Sequence, residues 1–156
     1  MKNLPVTKLG IVAVSRDCFP ISLSEKRKMA VLNQCKKAGI NITDVPVMVE
    51  NETHTIKALD FIRKNEIKDL VIYLGNFGPE TPETMLAQKF NGPVMFAAAA
   101  EETTANLATQ RGDAYCGMLN ASYNAGLRKL KVHIPEYPVG TPDEIANMIK
   151  EFIPVA

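Results

Sequence analysis

Residues 70–80 read LVIYLGNFGPE, and this stretch decides the expected fold. Its first five residues are continuously apolar, which is typical of a parallel strand covered on both faces. Gly75 and Gly78 end the apolar run, and Pro79 leads into a segment with helical features. A buried strand followed by a glycine-containing loop and a helix is the repeating unit of α/β proteins with parallel sheets.

Four further short apolar segments alternate with helical segments along the chain. The predicted strands are Leu9–Val14, Ile40–Thr43, Leu70–Leu74, Pro93–Ala97 and Lys131–Ile134. Right-handed crossovers between five such strands most simply give an α/β fold with a doubly wound parallel sheet in the order 2-1-3-4-5, a flavodoxin-like three-layer α/β/α arrangement. The alternative is the plain Rossmann order 3-2-1-4-5.

Amphipathic segments fill the gaps between the predicted strands. The first helix is expected to begin with a capping box at Ser22 and Glu25 and to end at Ala38-Gly39, and the second is expected to span about 51–65. The third is expected to start at Thr81. The fourth is expected to be capped by Asp113, and the fifth begins with a capping box at Thr141. The apolar stripes predicted to face the core are Met29, Leu32 and Cys35; Ile56, Leu59 and Ile62; Cys116, Leu119, Tyr123 and Leu127; and Ile145, Met148, Ile149 and Phe152.

The composition of the 156-residue chain excludes several classes of protein. Hydrophobic residues at 46%, charged residues at 22% and a mean hydropathy of -0.04 are typical of a soluble globular protein, and residues 1–156 are interpreted as a single domain. Because 18 basic residues face 17 acidic ones without a basic run, nucleic acid is not an expected partner. No segment approaches the roughly 20 apolar residues of a membrane span, so no membrane is expected. The three cysteines are widely spaced, which favours a reducing, cytoplasmic location.

Two polar loops are predicted to form the ligand-binding edge of the sheet. Ligands of doubly wound sheets bind beyond the carboxyl ends of the strands where the strand order reverses, here between the first and third strands. The loops at that point span residues 15–20 and 75–80. This edge is therefore the first place to look for binding residues.

Four side chains in these loops are candidate substrate-binding residues. Arg16 offers a forked donor, Asn76 an amide, Glu80 a carboxylate and Phe77 an apolar face. This combination suits a small polar ligand such as a sugar or a sugar acid. The alternative is that Arg16 pairs with Asp17 or Glu80 only to hold the loops together.

Motifs for other chemistries are weak or missing. The chain has no G-x-G-x-x-G after the first strand and no G-x-x-x-x-G-K-[ST], which disfavours NAD and ATP. His54 and His133 are isolated from each other, so a histidine metal site is not expected. Cys18 lies in an exposed loop without a nearby histidine and is a weak candidate nucleophile. Carboxylates at Glu80, Glu101, Glu102 and Glu136 leave oxygen ligation of a hard cation open.

Three segments resemble the N-terminal region of the L-fucose/L-arabinose isomerase family. They read GIVAVSRDCFP at residues 10–20, VIYLGNFGPE at 71–80 and RGDAYCGMLN at 111–120. The likeness spans nearly the whole chain, to YPVG at residues 137–140 and the helix after it. It implies the first domain of a longer ketol isomerase that interconverts aldose and ketose through an enediol, with Mn2+ as the cation of the full-length protein.

The resemblance also implies which domains of such an isomerase carry the catalytic and metal-binding residues. The metal ligands and acid/base carboxylates of the family lie in later domains, so this chain is expected to bind no cofactor, to hold no catalytic residue and to be inactive alone. It is expected to cap a sugar shared with a neighbouring subunit, in a homo-oligomer that is a trimer or hexamer when full length. Arg16 matches a sugar-contacting arginine of the family, and residues 76–77 fall where fucose isomerases carry an aromatic. The chain has no tryptophan, so the accepted sugar stays undetermined.

Two other functions are compatible with the same sequence. One is a stand-alone module that binds a small polyol without catalysis. The other is an oligomerisation module whose exposed helical face makes trimers.

Overall fold

The structure is a computed structural model that describes residues 7–102 and 111–155. Its strands are β1 Leu9–Val14, β2 Ile42–Asp44, β3 Asp69–Leu74, β4 Val94–Ala99 and β5 Val139–Gly140. Its helices are α1 Ile21–Lys37, α2 Glu52–Lys64, α3 Glu80–Lys89, α4 Ala114–Leu127 and α5 Pro142–Phe152, followed by a short 3-10 helix at Ile153–Val155. None of the helices in these two ranges combines the length and apolar character needed to cross a bilayer.

The five strands form one parallel sheet in the order β2-β1-β3-β4-β5. The predicted doubly wound order is confirmed, and the Rossmann alternative is wrong. Val14 pairs with Leu74, and Leu74 pairs with Ala98, so β1, β3 and β4 reach the same edge of the sheet. This edge, at the carboxyl ends of the strands, carries the loops that were predicted to bind a ligand.

The core lies on both faces of the three central strands. Every residue of β1, β3 and β4 is buried, which explains why the LVIYL run of β3 shows no polar alternation. Helices α1 and α5 contact each other in one layer, whereas α3 contacts both α2 and α4 in the other. The sheet is thus the middle of three layers, as predicted.

The fifth strand lies later in the chain than predicted. Residues 131–134 make only an isolated bridge to β4, in which the backbone N–H of His133 donates to the carbonyl of Val94 at 2.7 Å. Pro135 and Pro138 lack a backbone N–H, so the ladder cannot run continuously through this segment. Regular pairing resumes only at β5.

The helix boundaries follow the sequence signals unevenly. The capping box at Thr141 is confirmed, with the side chains of Thr141 and Glu144 each bonded to the other's backbone N–H. The capping box at Ser22 is wrong, because α1 begins at Ile21, directly after Pro20, and Ser22 lies inside the helix. Asp113 occupies the N-cap position of α4, but its carboxylate binds Arg111 and not the helix backbone.

The predicted stripe of α4 points away from the core. The buried face of α4 consists of small residues and one methionine, namely Ala114, Gly117, Met118, Ala121 and Ala125. The predicted Cys116, Leu119, Tyr123 and Leu127 are all exposed. The helix carries no charged residue, so hydropathy alone does not mark which face is buried.

Smaller errors of the same kind occur on two other helices. Met29 on α1 is 45% exposed and Ile56 on α2 is 54% exposed, although both were predicted to face the core. The remaining members of those stripes are buried or packed against the core. Ile145, Met148, Ile149 and Phe152 of α5 pack as predicted.

Candidate functional site

The loops at residues 15–20 and 75–80 are bonded to each other, and we call the surface they form the rim. The backbone N–H of Arg16 donates to Oδ1 of Asn76 at 3.1 Å. The Nδ2 group of Asn76 donates to Oγ of Ser15 at 2.8 Å. The predicted proximity of the two loops is therefore confirmed.

Asn76 is the residue that joins the two halves of the rim. Its side chain is fully buried, and Oδ1 also accepts from the backbone N–H of Gly78 at 3.3 Å. Its Nδ2 group reaches the carbonyl of Pro20 at 3.5 Å as well. Because both ends of the amide are engaged within the chain, Asn76 is a positioning residue here, and its direct contact with a sugar stays a prediction.

Arg16 lies at the surface of the rim. Its guanidinium carbon is 4.9 Å from the centre of the Phe77 ring, and Phe77 stacks on Phe19 with 6.1 Å between ring centroids. Nη1 of Arg16 also pairs with Glu80 at 3.3 Å. The two side chains are 40% and 47% exposed, so water screens the pair.

Glu80 connects the rim to α4. It is the first residue of α3, where the helix dipole favours a negative charge. Oε1 accepts from Nδ2 of Asn120 at 2.8 Å, in addition to the bond from Arg16. The pairing of Arg16 with Glu80, which the sequence allows as a purely structural role, thus exists, although it leaves both groups accessible.

An open polar cleft of about 470 Å³ adjoins the rim. It is lined by Arg16, Asp17, Glu50, Asn51, Glu52, Pro79, Glu80, Thr81 and Pro82. The contribution of residues 50–52 was not predicted from the sequence. The signal that could have found it is the strand order: β2 lies next to β1, so the segment that follows β2 reaches the same edge.

A buried ionic cluster supports the rim from below. Arg27 of α1 is 4% exposed and donates to the carbonyl of Gly75 at 2.8 Å. Its Nη2 group binds Glu102 at 2.6 Å and Glu101 at 2.9 Å, and Glu101 also accepts from the backbone N–H of Gly112. The cluster therefore ties the end of β3 to the segments that follow β4 and precede α4.

Electrostatics in this cluster favour the charged forms. Burial opposes the charge on Arg27, but its hydrogen bonds to Glu102 and Glu101 outweigh this effect and raise the pKa of Arg27. The hydrogen bond from Arg27 lowers the pKa of Glu102 despite partial burial. Sequence reasoning missed Arg27 because a charged residue inside a helix is normally interpreted as solvent-exposed.

The described residues do not offer a donor set for Mn2+. Glu101 and Glu102, which the sequence left open as ligands, are both paired with Arg27. Within residues 7–102 and 111–155, no three histidine, cysteine or acidic side chains come close enough to hold an ion. These residues therefore do not fit Mn2+ as a bound cofactor of the described part of the chain.

Glu83 of α3 is buried beneath the rim. Its Oε2 has no hydrogen-bond partner among the described residues and lies against Gly78, where an added Cβ would be 2.5 Å away. Burial, with a smaller contribution from the negative charge of Glu80, raises the pKa of Glu83 well above its ordinary value, and Arg16 opposes the shift. Burial thus favours the protonated form of this carboxyl over the charged form.

We expect Glu83→Gln to be more stable than the unmodified chain at pH 8. The folded state holds the Glu83 proton more tightly than the unfolded state, so stability falls as pH rises above 4.5, by at most about 1.4 kcal/mol per pH unit. Glutamine imitates the protonated carboxyl and removes this loss. Urea unfolding at pH 5 and pH 8 measures the difference, with Glu25→Gln on the exposed face of α1 as control. A Glu83→Gln variant that is less stable at pH 8 would contradict this account.

Comparison with known proteins identifies the family of the chain. Residues 10–156 match the family model described as fucose/sulfoquinovose isomerase, N-terminal domain. No curated protein matches the chain. Among solved structures, it is similar to the LacI family transcriptional regulator CCPA from Weissella paramesenteroides with bound glucose, at 8% identity over 78% of this chain and 55% of that one, with a TM-score of 0.38.

A second similar structure is the Lac repressor dimer bound to operator and the anti-inducer ONPF. The identity is 10% over 96% of this chain and 55% of that one, with a TM-score of 0.43. The chain thus spans about half the length of both of these structures.

Proposed function

Because this chain belongs to the fucose/sulfoquinovose isomerase family and matches its N-terminal domain, we propose that its rim holds the sugar substrate of a longer isomerase. The observation that carries the proposal is the placement of Arg16. Its guanidinium lies over Phe77, beside an open polar cleft, on loops that Asn76 fixes in place. A rigid loop that presents a forked donor next to an apolar ring is suited to a polyhydroxylated ligand.

The charges around the cleft favour a neutral sugar over a sugar acid. Among the described residues, Arg16 is the one basic side chain that lines the cleft, whereas Asp17, Glu50, Glu52 and Glu80 line it with carboxylates. Carboxylates accept hydrogen bonds from neutral hydroxyls but repel an anionic substrate. We therefore favour an aldose or ketose without an acidic group.

The contribution of this domain to the reaction is positioning. Arg16 donates hydrogen bonds to sugar hydroxyls, and Phe77 covers an apolar face of the sugar. These contacts hold the substrate and the transition state alike, so they lower KM without moving a proton. Proton transfer between the carbonyl and the neighbouring carbon, and the cation that assists it, are assigned to residues outside the described part of this chain.

Arg16→Ala in the isomerase that contains this domain is expected to raise KM by about 10-fold to 100-fold, the equivalent of one lost charge-assisted hydrogen bond. The kcat value should change little, because Arg16 binds substrate and transition state alike. Steady-state kinetics on aldose and ketose substrates measure both constants.

Arg63→Ala is the matched control, since Arg63 is an exposed arginine on α2 that pairs with Asp60 and does not line the cleft. Its KM should equal that of the unmodified isomerase. An unchanged KM for Arg16→Ala would remove Arg16 from the substrate contacts. Calorimetric titration of the isolated chain adds a further test, because micromolar sugar binding without metal would point to a stand-alone polyol-binding module.

A further inference from the structure

Glu80 accepts hydrogen bonds from two donors, one in the rim and one on α4. Nη1 of Arg16 donates to Oε1 of Glu80 at 3.3 Å, and Nδ2 of Asn120 donates to the same oxygen at 2.8 Å. The bond from Asn120 is the shorter of the two. Asn120 thus shares the acceptor that holds Arg16, although the proposed function gives Asn120 no role.

The pair of Arg16 and Glu80 is looser than an arginine–carboxylate pair can be. It consists of a single hydrogen bond to one carboxylate oxygen, which engages one N–H group of the guanidinium. The strongest pairs of this kind use two parallel N–H···O bonds, one to each oxygen. Such a two-bond pair would occupy the forked donor that Arg16 is proposed to offer to the sugar.

Asn120 is held in turn by a row of polar side chains along α4. Nδ2 of Asn124 donates to Oδ1 of Asn120 and, at 3.0 Å, to its backbone carbonyl. Nη1 of Arg128 donates to Oδ1 of Asn124 at 3.1 Å. Residues 120, 124 and 128 lie four apart and so share one face of the helix. The row therefore reaches from the carboxyl end of α4 to Glu80.

The charged groups at the two ends of the row fix the orientation of both amides. A carboxylate only accepts hydrogen bonds, so the N–H groups of Asn120 face Glu80 and its Oδ1 faces Asn124. A guanidinium only donates, so Oδ1 of Asn124 faces Arg128 and its N–H groups face Asn120. Every donor in the row thus points toward Glu80, and Asn120 is held in the orientation that binds this carboxylate.

We propose that Asn120 is a positioning residue that keeps Glu80 from closing on Arg16, so that the forked donor of Arg16 stays available to the sugar. Without the bond from Asn120, the Glu80 carboxylate is free to turn and to bind Arg16 through both oxygens. The sugar would then have to displace this ion pair before it could bind. This inference rests on the proposed function and deepens it, because it explains how the rim keeps a binding group open beside an acidic neighbour.

A double-mutant cycle in the isomerase that contains this domain tests the role of Asn120. We expect Asn120→Ala to raise KM by about 3-fold to 5-fold, the range for an exposed ion pair, and to leave kcat unchanged. In a Glu80→Gln background the same substitution should leave KM where Glu80→Gln alone puts it, because a neutral side chain at position 80 cannot form the competing ion pair. A general loss of structure would instead raise KM in both backgrounds.

Two further variants control for shape and for the loss of an asparagine. Asn120→Leu keeps the approximate size of the side chain without its N–H groups, so it should raise KM as Asn120→Ala does. Asn147→Ala removes an exposed asparagine from α5, in the layer opposite α4, and its KM should equal that of the unmodified isomerase. Circular dichroism of each variant checks that it folds.

A measurement without sugar separates this inference from the proposed function. Phenylglyoxal modifies accessible guanidinium groups, and mass spectrometry follows the modification of each arginine. Asn120→Ala should slow modification of Arg16 by about 3-fold and leave modification of Arg63, which is 73% exposed on α2, unchanged. If Arg16→Ala leaves KM unchanged, the proposed function fails, whereas the modification rate of Arg16 still tests the role of Asn120.

Three results would overturn the role of Asn120. The first is a modification rate of Arg16 that does not fall in Asn120→Ala. The second is an unchanged KM for Asn120→Ala in an isomerase whose KM is raised by Arg16→Ala. The third is an equal effect of Asn120→Ala on KM with glutamate and with glutamine at position 80.

Discussion

Gly117→Ala is expected to lower the free energy of unfolding by about 3 kcal/mol, the upper range for an overpacked core. A Cβ at Gly117 would lie 1.9 Å from the carbonyl oxygen of Phe77 and 2.6 Å from its carbonyl carbon. These are backbone atoms of the rim, so neither α4 nor the loop can yield without a shift of the whole segment. Urea denaturation at neutral pH measures the change.

Gly126→Ala on the same helix is the matched control. No atom of the described residues lies within 4 Å of a Cβ at Gly126, so the substitution should stabilise the protein by roughly 0.5–1 kcal/mol through helix propensity alone. If both variants shift stability in the same direction and by the same amount, the close contact of α4 with the rim is wrong. Because Phe77 supports Arg16, Gly117→Ala should also weaken sugar binding in the full isomerase.

Arg27→Met is expected to cost about 3 kcal/mol of stability. Methionine fills the same space but leaves Glu101, Glu102 and the carbonyl of Gly75 without their shared donor. Removing one partner of a buried ion pair typically costs about 3–5 kcal/mol. The value here lies at the lower end, because both glutamates are partly exposed and regain some hydration.

Arg63→Met is the matched control, because it also removes an arginine from an ion pair, but at an exposed position. Arg63 and Asp60 are 73% and 52% exposed, and breaking such a surface pair should cost less than about 1 kcal/mol.

The pH dependence of the stability of Arg27→Met adds a second readout. Arg27 lowers the pKa of Glu102. The stability that this ion pair contributes is therefore present at pH values above the ordinary pKa of glutamate, and it is lost as the pH falls through the lowered pKa of Glu102. Arg27→Met should abolish that acid loss, and equal costs for both methionine variants would contradict the buried cluster.

Much of the sheet was predictable because the features that specify it lie within short segments of the sequence. The continuous apolar run of β3 and the alternation of strands with helices determine a parallel sheet, and right-handed crossovers then restrict the strand order. The last strand was not predictable in the same way. Residues 131–134 have the composition of a strand, but Pro135 and Pro138 divide the edge into a single bridge and the two-residue β5.

The helix faces show where hydropathy fails as a guide. In α4 the large apolar residues lie outside and the small ones inside, because Gly117 must touch the backbone of Phe77. In α1 the buried position 27 holds an arginine where an apolar residue would be expected, because the segments that follow β3 and β4 supply a carbonyl and two carboxylates for Arg27 to bind. Both choices depend on partners distant in sequence, which periodicity along one helix does not register.

The location of the rim was predictable from the sequence, but its hydrogen bonds were not. The ends of β1 and β3 had to be neighbours in the order 2-1-3-4-5, so the proximity of Arg16 to residues 76–80 followed. That Asn76 uses its whole amide on the two loops depends on the conformation of both loops at once. The same holds for the carboxyl of Glu83 beneath them.

Cys18 is exposed in the rim, two residues after Arg16, so a sugar bound at the rim is expected to shield its thiol. The measurement is the rate at which iodoacetamide modifies Cys18 in the isomerase that contains this domain, with and without saturating substrate. We predict that substrate slows modification of Cys18 several-fold and leaves modification of Cys116 on α4 unchanged. Equal rates at Cys18 with and without substrate would contradict sugar binding at the rim.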